Sequence, residues 1–461
     1  MMEEIYLDKN KKVHFIGIGG ISMSSLADIL LYRGFRVSGS DAKASSLTDA
    51  LVEKGADICI GQRASNIKED IGAVVYTAAI ADDNPELMQA RALGIPVYTR
   101  AEFFGRLMQD FESVICISGT HGKTTTTSIL SQIFLDADAD PTIMAGGILE
   151  SINSNTRIGG TGVMIAEACE YKNSFLSFFP TVGIILNIRE DHMDFFKDLD
   201  DIRSSFRKFA ERIPEDGLLV IGSDVGDIET FTAGLKCRVV TFSAGDTPAD
   251  VTAGNISFDD HACGSFDLCL NGSSLGRASL RITGMHGIYD ALAASTAAIF
   301  MGVDPGRIIE SLGRYRGVKR RFEMKGTIGG VTVIDDYAHH PDEINATLSS
   351  ALCCPHKKLW VVFQPHTYSR TAKFMDEFAK ALSRADEVIL TDIYAAREVN
   401  TFGVSSADLS ERIKELGTES RYLPTFDEVE TFLLENCTAG DLLITMGAGD
   451  VVDIANNLLG L

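Results

Sequence analysis

The stretch Val114-Ile-Cys-Ile-Ser-Gly-Thr-His-Gly-Lys-Thr-Thr125 places a glycine-rich turn after an apolar run and before a segment with the composition of a helix. The apolar run predicts a buried strand, and residues 126–134 predict the helix. A strand, a glycine turn and a helix in this order direct backbone N–H groups and a helix N-terminus toward a bound phosphate. The stretch therefore predicts an α/β fold that binds a nucleotide.

Individual positions of this turn have expected roles toward ATP or GTP. Lys123 reaches the β and γ phosphates, and the Thr124 hydroxyl can coordinate Mg²⁺. The standard pattern has about four residues between its first glycine and the Gly-Lys pair, whereas here only Thr120 and His121 intervene. The loop is thus a shortened phosphate loop, and its candidate nucleotide-binding residues are Gly119, Thr120, His121, Gly122, Lys123, Thr124 and Thr125.

Length and composition indicate a folded protein of several domains. The chain has 461 residues, of which 45% are hydrophobic, and this length suits about three domains. Its net charge of −22 argues against tight contact with a nucleic-acid backbone. The nine cysteines lack zinc-type spacing, and no apolar run is long enough to span a bilayer or form a signal sequence. We expect a cytoplasmic protein with small-molecule partners, without nucleic acid or membrane insertion.

A doubly wound α/β unit is predicted at the N-terminus, with a strand at 13–16, a glycine turn at 17–20, a helix at 22–31 and a strand at 35–38. Asp41 lies just past the second strand, where a dinucleotide fold places an acidic residue against a ribose hydroxyl. Ser22 replaces the third glycine of the dinucleotide fingerprint. An NAD-dependent dehydrogenase is therefore the weaker alternative.

Two further α/β units are predicted downstream. The central unit adds apolar strands at 162–166 and 182–188 and a small antiparallel sheet between 251 and 282. The third unit has strands at 331–334, 359–363 and 388–390 and a helix at 371–382. The expected domains are 1–110, 111–322 and 323–461.

Two strand ends of the central unit carry groups that can bind a metal ion. Glu167 closes one predicted strand, and His192 follows the next. Because parallel strands end at the same edge of a sheet, both should lie beside the phosphate loop and could hold Mg²⁺ together with Thr124. The alternative is that Glu167 caps a helix and His192 is a solvated loop residue.

Polar side chains also follow two strands of the third unit, in Asp335-Asp-Tyr-Ala-His-His-Pro341 and in Gln364-Pro-His-Thr-Tyr-Ser-Arg370. Such density at strand ends is typical of substrate binding. The adjacent histidines with two aspartates leave structural zinc as an alternative, although further ligands at familiar spacing do not follow. Tyr337 and Tyr368 could equally be core aromatic residues.

Taken together, these stretches resemble the Mur ligases, ATP-dependent enzymes that add amino acids to the peptidoglycan precursor. The phosphate loop matches that family's Gly-Thr-x-Gly-Lys-Thr. The chain is most similar to the branch that adds L-alanine, through Gly-Ile-Gly-Gly-x-x-Met-Ser, Ser-Gly-Ser-Asp, Asp-Asp-Tyr-x-His-His-Pro, Phe-Gln-Pro-His-x-Tyr-x-Arg, Asp-x-Tyr-Ala-Ala and Thr-Met-Gly-Ala-Gly-Asp, at 17–24, 38–41, 335–341, 363–370, 392–396 and 445–450.

The resemblance implies the three-domain Mur ligase architecture: an N-terminal Rossmann-like domain that binds the UDP-sugar, a central P-loop ATPase domain and a C-terminal α/β domain that binds the amino acid. The implied substrates are UDP-N-acetylmuramate, ATP and L-alanine, with Mg²⁺, or Mn²⁺ in its place. By the same resemblance, the lactyl carboxylate attacks the γ-phosphate to give an acyl phosphate. The alanine amine then displaces phosphate and forms an amide.

The resemblance also implies roles for particular residues. It makes Lys123, Glu167 and His192 catalytic, and Thr124, Glu167 and His192 metal ligands. Beyond the phosphate loop, it adds to the ATP site His286, Asp290, Arg321 and Asp336. It assigns to the UDP-sugar Gly17, Gly19, Gly20, Ile21, Ser22, Ser40 and Asp41. The implied alanine-binding residues are Tyr337, His339 and Arg370.

The chain departs from the family pattern at several positions. Gly287 and Asp290 replace two asparagines of the adenine-binding segment, Thr367 replaces a frequent arginine, and Ser22 and Ser25 replace glycines of the first turn. Two alternatives therefore stay open, a murein-peptide ligase that attaches a recycled tripeptide and a catalytically weak Mur-like protein that binds UDP-sugar. The sequence leaves both a monomer and a homodimer open.

Overall fold

The computed structural model describes residues 8–77, 79–193, 195–259, 262–396 and 398–461. The chain divides into two compact units. Unit 1 comprises Met1–Thr252, Leu268–Gly276 and Asp290–Ser311, and unit 2 comprises Ala253–Asp267, Arg277–Tyr289 and Leu312–Leu461. In the described part of the chain, no helix is both long enough and apolar enough to cross a membrane.

The N-terminal part of unit 1 is a parallel sheet in the order β3-β2-β1-β4-β5 with helices between its strands. This arrangement confirms the predicted α/β class. The elements in chain order are β1 Lys12–Ile16, α1 Ile21–Tyr32, β2 Arg36–Asp41, α2 Ser46–Glu53, β3 Asp57–Ile60, β4 Ile71–Tyr76, α3 Pro85–Ala92, β5 Val97–Thr99 and α4 Arg100–Met108.

The second strand is longer than the sequence pattern indicated. Asp41 is the last residue of β2 rather than a residue beyond it. Gly39 and Ser40 continue the strand because they pair with Phe15 and Ile16 of β1. At Gly39 a Cβ atom would lie 2.6 Å from Ile18 Cδ1, so glycine lets the strand pack closely against the turn.

The central sheet has the order β15-β14-β13-β12-β11-β10-β6-β9-β7-β8. Neighbouring strands between β6 and β12 are parallel, and only the β7–β8 pair among them is antiparallel. The apolar residues of β6 are buried. The elements are β6 Ser113–Ser118, α5 Lys123–Asp136, β7 Thr142–Leu149, β8 Ser154–Arg157, β9 Val163–Glu167, β10 Val182–Ile185, α6 Leu199–Ala210, β11 Leu218–Gly222, α7 Ile228–Thr232, β12 Arg238–Ser243, β13 Val251–Phe258, β14 Cys263–Leu270, β15 Ser273–Thr283, α8 Gly284–Phe300 and α9 Pro305–Arg314.

Two boundaries near the phosphate loop differ from the prediction. Helix α5 begins at Lys123 instead of residue 126, because Gly122 adopts a left-handed conformation and serves as its N-cap. Strand β10 ends at Ile185 instead of residue 188. Leu186 still donates to the Ser118 carbonyl, and the chain then turns toward the loop. As a result, Lys123 is already helical, and Asn187 lies beyond the end of its strand.

Unit 2 contains a sheet in the order β16-β17-β21-β18-β19-β20, in which β16 is antiparallel to β17 and the other pairs are parallel. The elements are β16 Glu323–Ile328, β17 Val331–Asp336, α10 Pro341–Cys353, β18 Leu359–Phe363, α11 Tyr368–Lys373, α12 Met375–Leu382, β19 Glu387–Leu390, α13 Ser406–Glu415, β20 Glu419–Tyr422, α14 Phe426–Asn436, β21 Leu442–Met446 and α15 Val452–Leu459.

The single helix expected at 371–382 is two helices. Phe374 interrupts the helical conformation with φ −111° and ψ 26° and separates α11 from α12. Its ring lies 4.9 Å from the His340 ring and 6.4 Å from the Phe378 ring, centre to centre. At the break, Phe374 thus packs between His340, which follows β17, and Phe378 of α12. Helix propensity does not reveal a tertiary contact of this kind.

Candidate active site

The phosphate loop joins β6 to α5 and depends on glycine at two positions. Gly119 has φ 143° and Gly122 has φ 85°, values that favour glycine. Space excludes side chains as well, because a Cβ at Gly119 would lie 2.9 Å from Leu186 Cβ and one at Gly122 would lie 2.4 Å from Asp290 Oδ1. The backbone of the loop is thus held closely against the strand end of β10 and against α8.

Asn187, directly after β10, holds the loop through three hydrogen bonds. Its Oδ1 accepts from the His121 N–H at 2.9 Å, and its Nδ2 donates to the His121 carbonyl at 3.1 Å. Its own carbonyl accepts from the Thr120 N–H at 3.1 Å. We did not assign Asn187 a role from the sequence, and the apolar pattern placed it inside the strand predicted at 182–188, whereas β10 ends at Ile185.

Lys123 pairs with Glu170, a second residue without a predicted role. The Lys123 ammonium lies 3.0 Å from Glu170 Oε2 and 3.0 Å from the Thr120 carbonyl oxygen that accepts from it. The Glu170 side chain is 3% exposed and that of Lys123 is 16% exposed. Burial alone would lower the pKa of Lys123, but the charge of Glu170 raises it above its usual value. Lys123 is therefore a firmly charged group beside the loop.

Of the three predicted metal ligands, Glu167 and His192 are reached from strands next to β6, and Thr124 is reached from the helix after it. Glu167 is the last residue of β9, pairs with Ile117 of β6, and accepts a hydrogen bond from the Gly146 N–H at 2.6 Å. His192 follows β10, adopts φ 52°, and its ring centre lies 4.7 Å from that of Tyr171. Thr124 lies in the first turn of α5.

The donor atoms of these three residues fit the predicted cation. A hydroxyl and a carboxylate supply hard oxygen ligands, and an imidazole supplies nitrogen, which Mn²⁺ also accepts. Mg²⁺ keeps several water ligands and usually binds substrate phosphates with only one or two carboxylates. A set with a single carboxylate next to a phosphate loop is consistent with that preference. The metal-binding role of Thr124, Glu167 and His192 stays a prediction.

The predicted UDP-sugar turn uses Asp41 internally. Gly17 has φ 83°, and the Gly19 N–H donates to Asp41 Oδ2 at 2.8 Å. A Cβ at Gly19 would lie 2.9 Å from that oxygen. Ile21 is the first residue of α1 and is exposed, with Gly20 before it as N-cap and Ser22 after it. The turn therefore exposes its helix N-terminus while Asp41 occupies one of its N–H groups.

Ser40, also predicted to bind the UDP-sugar, lies beneath this turn. It is fully buried, and its hydroxyl donates to Glu86 Oε2 at 2.6 Å. Glu86, itself fully buried, also accepts from the Asn66 amide at 2.5 Å and lies 3.4 Å from His14 Nε2. In this structure Ser40 belongs to a buried polar network that supports the turn.

In unit 2, Asp336 ends β17 and is almost fully buried. Its carboxylate accepts from the N–H groups of Phe322 at 2.6 Å and Ala338 at 2.7 Å. Burial raises the pKa of Asp336 to about 6, although the positive charge of Arg321 opposes the shift. The Arg321 guanidinium lies 5.3 Å from the Tyr337 ring centre. Arg321, Asp336 and Tyr337 are thus neighbours, although the resemblance assigns the first two to ATP and Tyr337 to alanine.

Arg320, which we did not single out, holds the C-terminal glycine motif. Its Nε donates to Asp335 at 3.1 Å, and its two terminal nitrogens donate to the carbonyls of Gly447 at 2.7 Å and Gly449 at 3.0 Å. The Asp335 side chain is fully buried. The motif at 445–450 is therefore tied to the end of β17 by a structural arginine.

The predicted alanine-binding residues come together with His366. The ring centres of Tyr337 and His339 are 5.5 Å apart, and those of His339 and His366 are 5.8 Å apart. Arg370 Nη1 lies 3.2 Å from His366 Nδ1. The His366 ring also stacks on Tyr394, with an interplanar angle of 18°. Burial, with the charges of His339 and Arg370, lowers the pKa of His366 to about 4, so its imidazole is neutral at pH 7.

Two residues predicted to belong to the ATP site, His286 and Asp290, lie in the same helix, α8. His286 belongs to unit 2, where a Cβ at Gly284 would lie 2.7 Å from its Cε1. Asp290 belongs to unit 1, is 4% exposed, and has its carboxylate against Gly122 of the phosphate loop. Asp290 is therefore close to the loop that we expect to bind phosphate.

Three family models match consecutive parts of the chain. The model for the Mur ligase family catalytic domain matches residues 12–112. The Mur ligase middle domain matches 117–298, and the glutamate ligase domain of Mur ligases matches 320–449. Together these matches cover the regions that carry the N-terminal turn, the phosphate loop and the clusters of unit 2.

Individual relatives and solved structures agree with these matches. The UDP-N-acetylmuramate–L-alanine ligase of Lachnospira eligens is 54% identical over 97% of this chain and 97% of that protein. The same-named ligase of Agathobacter rectalis is 50% identical over 99% of this chain and 100% of its own length. The crystal structure of the UDP-N-acetylmuramate-alanine ligase MurC of Thermotoga maritima superposes with a TM-score of 0.82 at 30% identity, and covers 97% of this chain and 98% of its own.

A murein peptide ligase of Psychrobacter arcticus also matches, with a TM-score of 0.72 at 25% identity over 98% of both chains. Its structural similarity and identity are lower than those of the Thermotoga maritima ligase. Family models over most of the chain, relatives at about half identity and a shared three-part arrangement lead to one conclusion: the chain belongs to the Mur ligase family.

Proposed function

We propose that this chain uses ATP to join L-alanine to UDP-N-acetylmuramate. The observation that carries the chemistry is the shortened phosphate loop, with Lys123 at the first position of α5. The choice of substrates is supported by relatives that bear this activity in their names at 54% and 50% identity. We place the reaction in the cytoplasm, where ATP and UDP-sugars are available.

The first proposed step transfers the γ-phosphoryl group of ATP to the lactyl carboxylate of UDP-N-acetylmuramate. The loop N–H groups and the Lys123 ammonium would bind the phosphates and neutralise charge that develops as the bond to ADP breaks. Asn187 holds the backbone at His121, so the N–H groups are oriented before ATP arrives. A cation held by Thr124, Glu167 and His192 would supply further charge neutralisation. The products of this step are an acyl phosphate and ADP.

The second proposed step is attack by the alanine amine on the acyl phosphate, which expels phosphate and leaves an amide. Arg370 suits the alanine carboxylate because its planar guanidinium can form two parallel hydrogen bonds. His366 lies 3.2 Å from Arg370 and, being neutral at pH 7, does not repel the guanidinium. His339 and Tyr337 would line the same pocket. We assign residues 1–110 to the UDP-sugar, 111–322 to ATP and 323–461 to the amino acid.

A murein-peptide ligase is the second candidate, because it shares the acceptor and the fold. The solved murein peptide ligase is less similar to this chain than the solved alanine ligase, which favours alanine. A weakly catalytic binding protein is the third candidate. It is favoured only by Gly287 and Asp290, which replace two amides expected at the adenine.

The test is a phosphate-release assay with purified protein, UDP-N-acetylmuramate, ATP, Mg²⁺ and, in turn, each amino acid and the murein tripeptide. We expect release that requires all components and is fastest with L-alanine. Lys123→Ala serves as the control and should lower the rate by several orders of magnitude while it leaves UDP-sugar binding nearly unchanged. Faster release with the tripeptide would support the second candidate, and wild-type release no faster than that of Lys123→Ala would support the third.

A further inference from the structure

His339 and His340 are adjacent in sequence but make different contacts in the structure. His340 is the N-cap of α10, is 5% exposed, and its Nδ1 accepts from the Asp342 N–H at 3.3 Å. The His339 side chain is 20% exposed, and its ring centre lies 5.5 Å from that of Tyr337 and 5.8 Å from that of His366. Of the two histidines, His339 is therefore the one that a ligand at the predicted alanine site can reach.

Hydrogen bonds determine which nitrogen of His339 carries the proton. Nδ1 lies 3.0 Å from the Tyr337 carbonyl oxygen and 3.3 Å from Glu343 Oε2. A carbonyl and a carboxylate can only accept hydrogen bonds, so Nδ1 is the protonated nitrogen. Burial lowers the pKa of His339 below its usual value, although the charge of Glu343 opposes the shift. The ring is therefore neutral at pH 7, and its Nε2 has an unshared electron pair.

Glu343 is held beside His339 by the start of α10. Its Oε2 also accepts from the backbone N–H groups of His339 at 3.0 Å and His340 at 3.2 Å. Its Oε1 lies 3.9 Å from Arg321 Nη1, and its side chain is 18% exposed. These contacts orient the carboxylate before any substrate binds. A histidine oriented by a third group is a recurring arrangement in enzymes that activate a nucleophile.

His366 has the opposite tautomer. Arg370 Nη1 lies 3.2 Å from His366 Nδ1, and a guanidinium can only donate, so His366 Nδ1 accepts. Because this ring is neutral at pH 7, its proton is on Nε2. The cluster thus contains donors on Arg370 and His366 and an acceptor on His339. An amino acid requires both, because its carboxylate binds donors and its ammonium group binds an acceptor.

We propose that His339 Nε2 accepts a proton from the alanine ammonium group and that Glu343 is the positioning residue that holds His339 in the required tautomer, an inference that rests on the proposed function. The ammonium form has no electron pair with which to attack a carbonyl. Once its proton has passed to Nε2, the neutral amine attacks the carbonyl carbon of the acyl phosphate. The bond from this carbon to the phosphate oxygen then breaks, a second proton passes from nitrogen to the departing phosphate, and His339 releases its proton to water.

The test replaces L-alanine with hydroxylamine, an amine that is already unprotonated at pH 7 and that traps an acyl phosphate as a hydroxamate. For His339→Gln, we expect kcat with alanine to fall about a hundredfold, as loss of a general base predicts, and the rate of hydroxamate formation to stay within about twofold of wild type. Glu343→Gln preserves the capping box, which accepts glutamine as well as glutamate. It should lower kcat with alanine several-fold and leave hydroxamate formation unchanged.

His356→Gln is the matched control, because His356 Nδ1 also lies beside a carbonyl two residues earlier in the chain, that of Cys354 at 2.6 Å. It should change neither rate. In His339→Gln, an equal loss of both rates, no loss of either, or a raised KM for alanine with unchanged kcat would each overturn the proposal. An equal loss of both rates in Glu343→Gln would reduce Glu343 to a helix cap. If the wild type formed neither amide nor hydroxamate, the proposed function itself would fail.

The tautomer can be measured independently of activity, by ¹⁵N NMR of the enzyme labelled at histidine. The signals that disappear in His339→Gln belong to His339, and they should show hydrogen on Nδ1. Hydrogen on Nε2 would overturn the proposal even if the rates agreed with it.

Discussion

The Lys123 ammonium lies 3.0 Å from Glu170 Oε2, and both side chains are buried or nearly so. A lysine that binds ATP phosphates must therefore exchange a protein carboxylate for an anionic ligand. Because the ion pair is largely withdrawn from water, removing one partner should leave the other strongly destabilised. We therefore expect the pair to couple the stability of the loop to the binding of nucleotide.

We expect Glu170→Gln to lower the melting temperature of the protein without nucleotide by several degrees, since Lys123 loses its counterion. Saturating Mg-ATP should restore most of this loss, because the phosphates then supply the missing charge. Differential scanning fluorimetry with and without Mg-ATP measures both effects. Glu190→Gln, an exposed acidic position on the loop after β10, is the control. A melting temperature equal to that of wild type would show that the pair contributes nothing.

The second prediction concerns the metal ligands. Glu167→Gln and His192→Ala should each raise the Mg²⁺ concentration that gives half-maximal activity by about tenfold, because each variant removes a ligand beside the phosphates. The measurement is initial rate against free Mg²⁺ at saturating substrates, with Glu190→Gln again as control. An unchanged Mg²⁺ dependence in both variants would make the two residues structural.

The third prediction tests the alanine pocket. Arg370→Lys should raise the KM for L-alanine about tenfold and leave the KM for ATP nearly unchanged, because a flexible ammonium replaces a two-pronged guanidinium. Lys373→Gln, an exposed position on the same helix, should alter neither constant. If the KM for ATP rose and that for alanine did not, Arg370 would belong to the nucleotide site.

The fourth prediction follows from the pKa of His366, which is lowered from 6.5 to about 4. The unfolded chain binds the proton more tightly than the folded protein, so stability from this residue is present above about pH 6.5 and is lost as pH falls toward 4. Between about pH 7.5 and 5.5 we expect the wild type to lose about 1 kcal/mol of unfolding free energy through His366. Urea titrations at the two pH values measure this loss of unfolding free energy. The loss should be smaller for His366→Gln than for the wild type by about 1 kcal/mol. Equal losses in the two proteins would show that the pKa of His366 is not lowered.

Much of the fold could be predicted because apolar runs report buried strands directly. Residues 359–363 were predicted as a strand and form β18, since a fully buried parallel strand is apolar along its whole length. The phosphate loop could also be predicted from neighbouring residues, because its backbone conformation requires glycine at Gly119 and Gly122 and phosphate binding requires a lysine directly after them. The break at Phe374 was missed because it depends on a ring contact with His340, which lies far away in sequence.

The sequence could predict which strand ends carry the residues of the candidate site. It could not predict which residues the side chains at the site contact. Asn187 reaches the backbone of His121 across 66 residues, and Glu170 reaches Lys123 across 47. Asp290 was predicted to bind ATP, but the position of its carboxylate against Gly122 of the phosphate loop was not predicted. Such contacts depend on the register of neighbouring strands and helices, which a single sequence does not specify.

The most direct test of the central claim, that the Lys123 loop delivers the γ-phosphoryl group of ATP to a carboxylate, is an oxygen-transfer experiment. UDP-N-acetylmuramate labelled with ¹⁸O in its lactyl carboxylate is converted with ATP, Mg²⁺ and L-alanine, and the released phosphate is analysed by mass spectrometry. An acyl phosphate passes one carboxylate oxygen to phosphorus, so we predict one ¹⁸O atom in each released phosphate. Unlabelled phosphate would show that water attacks ATP, and would contradict the account.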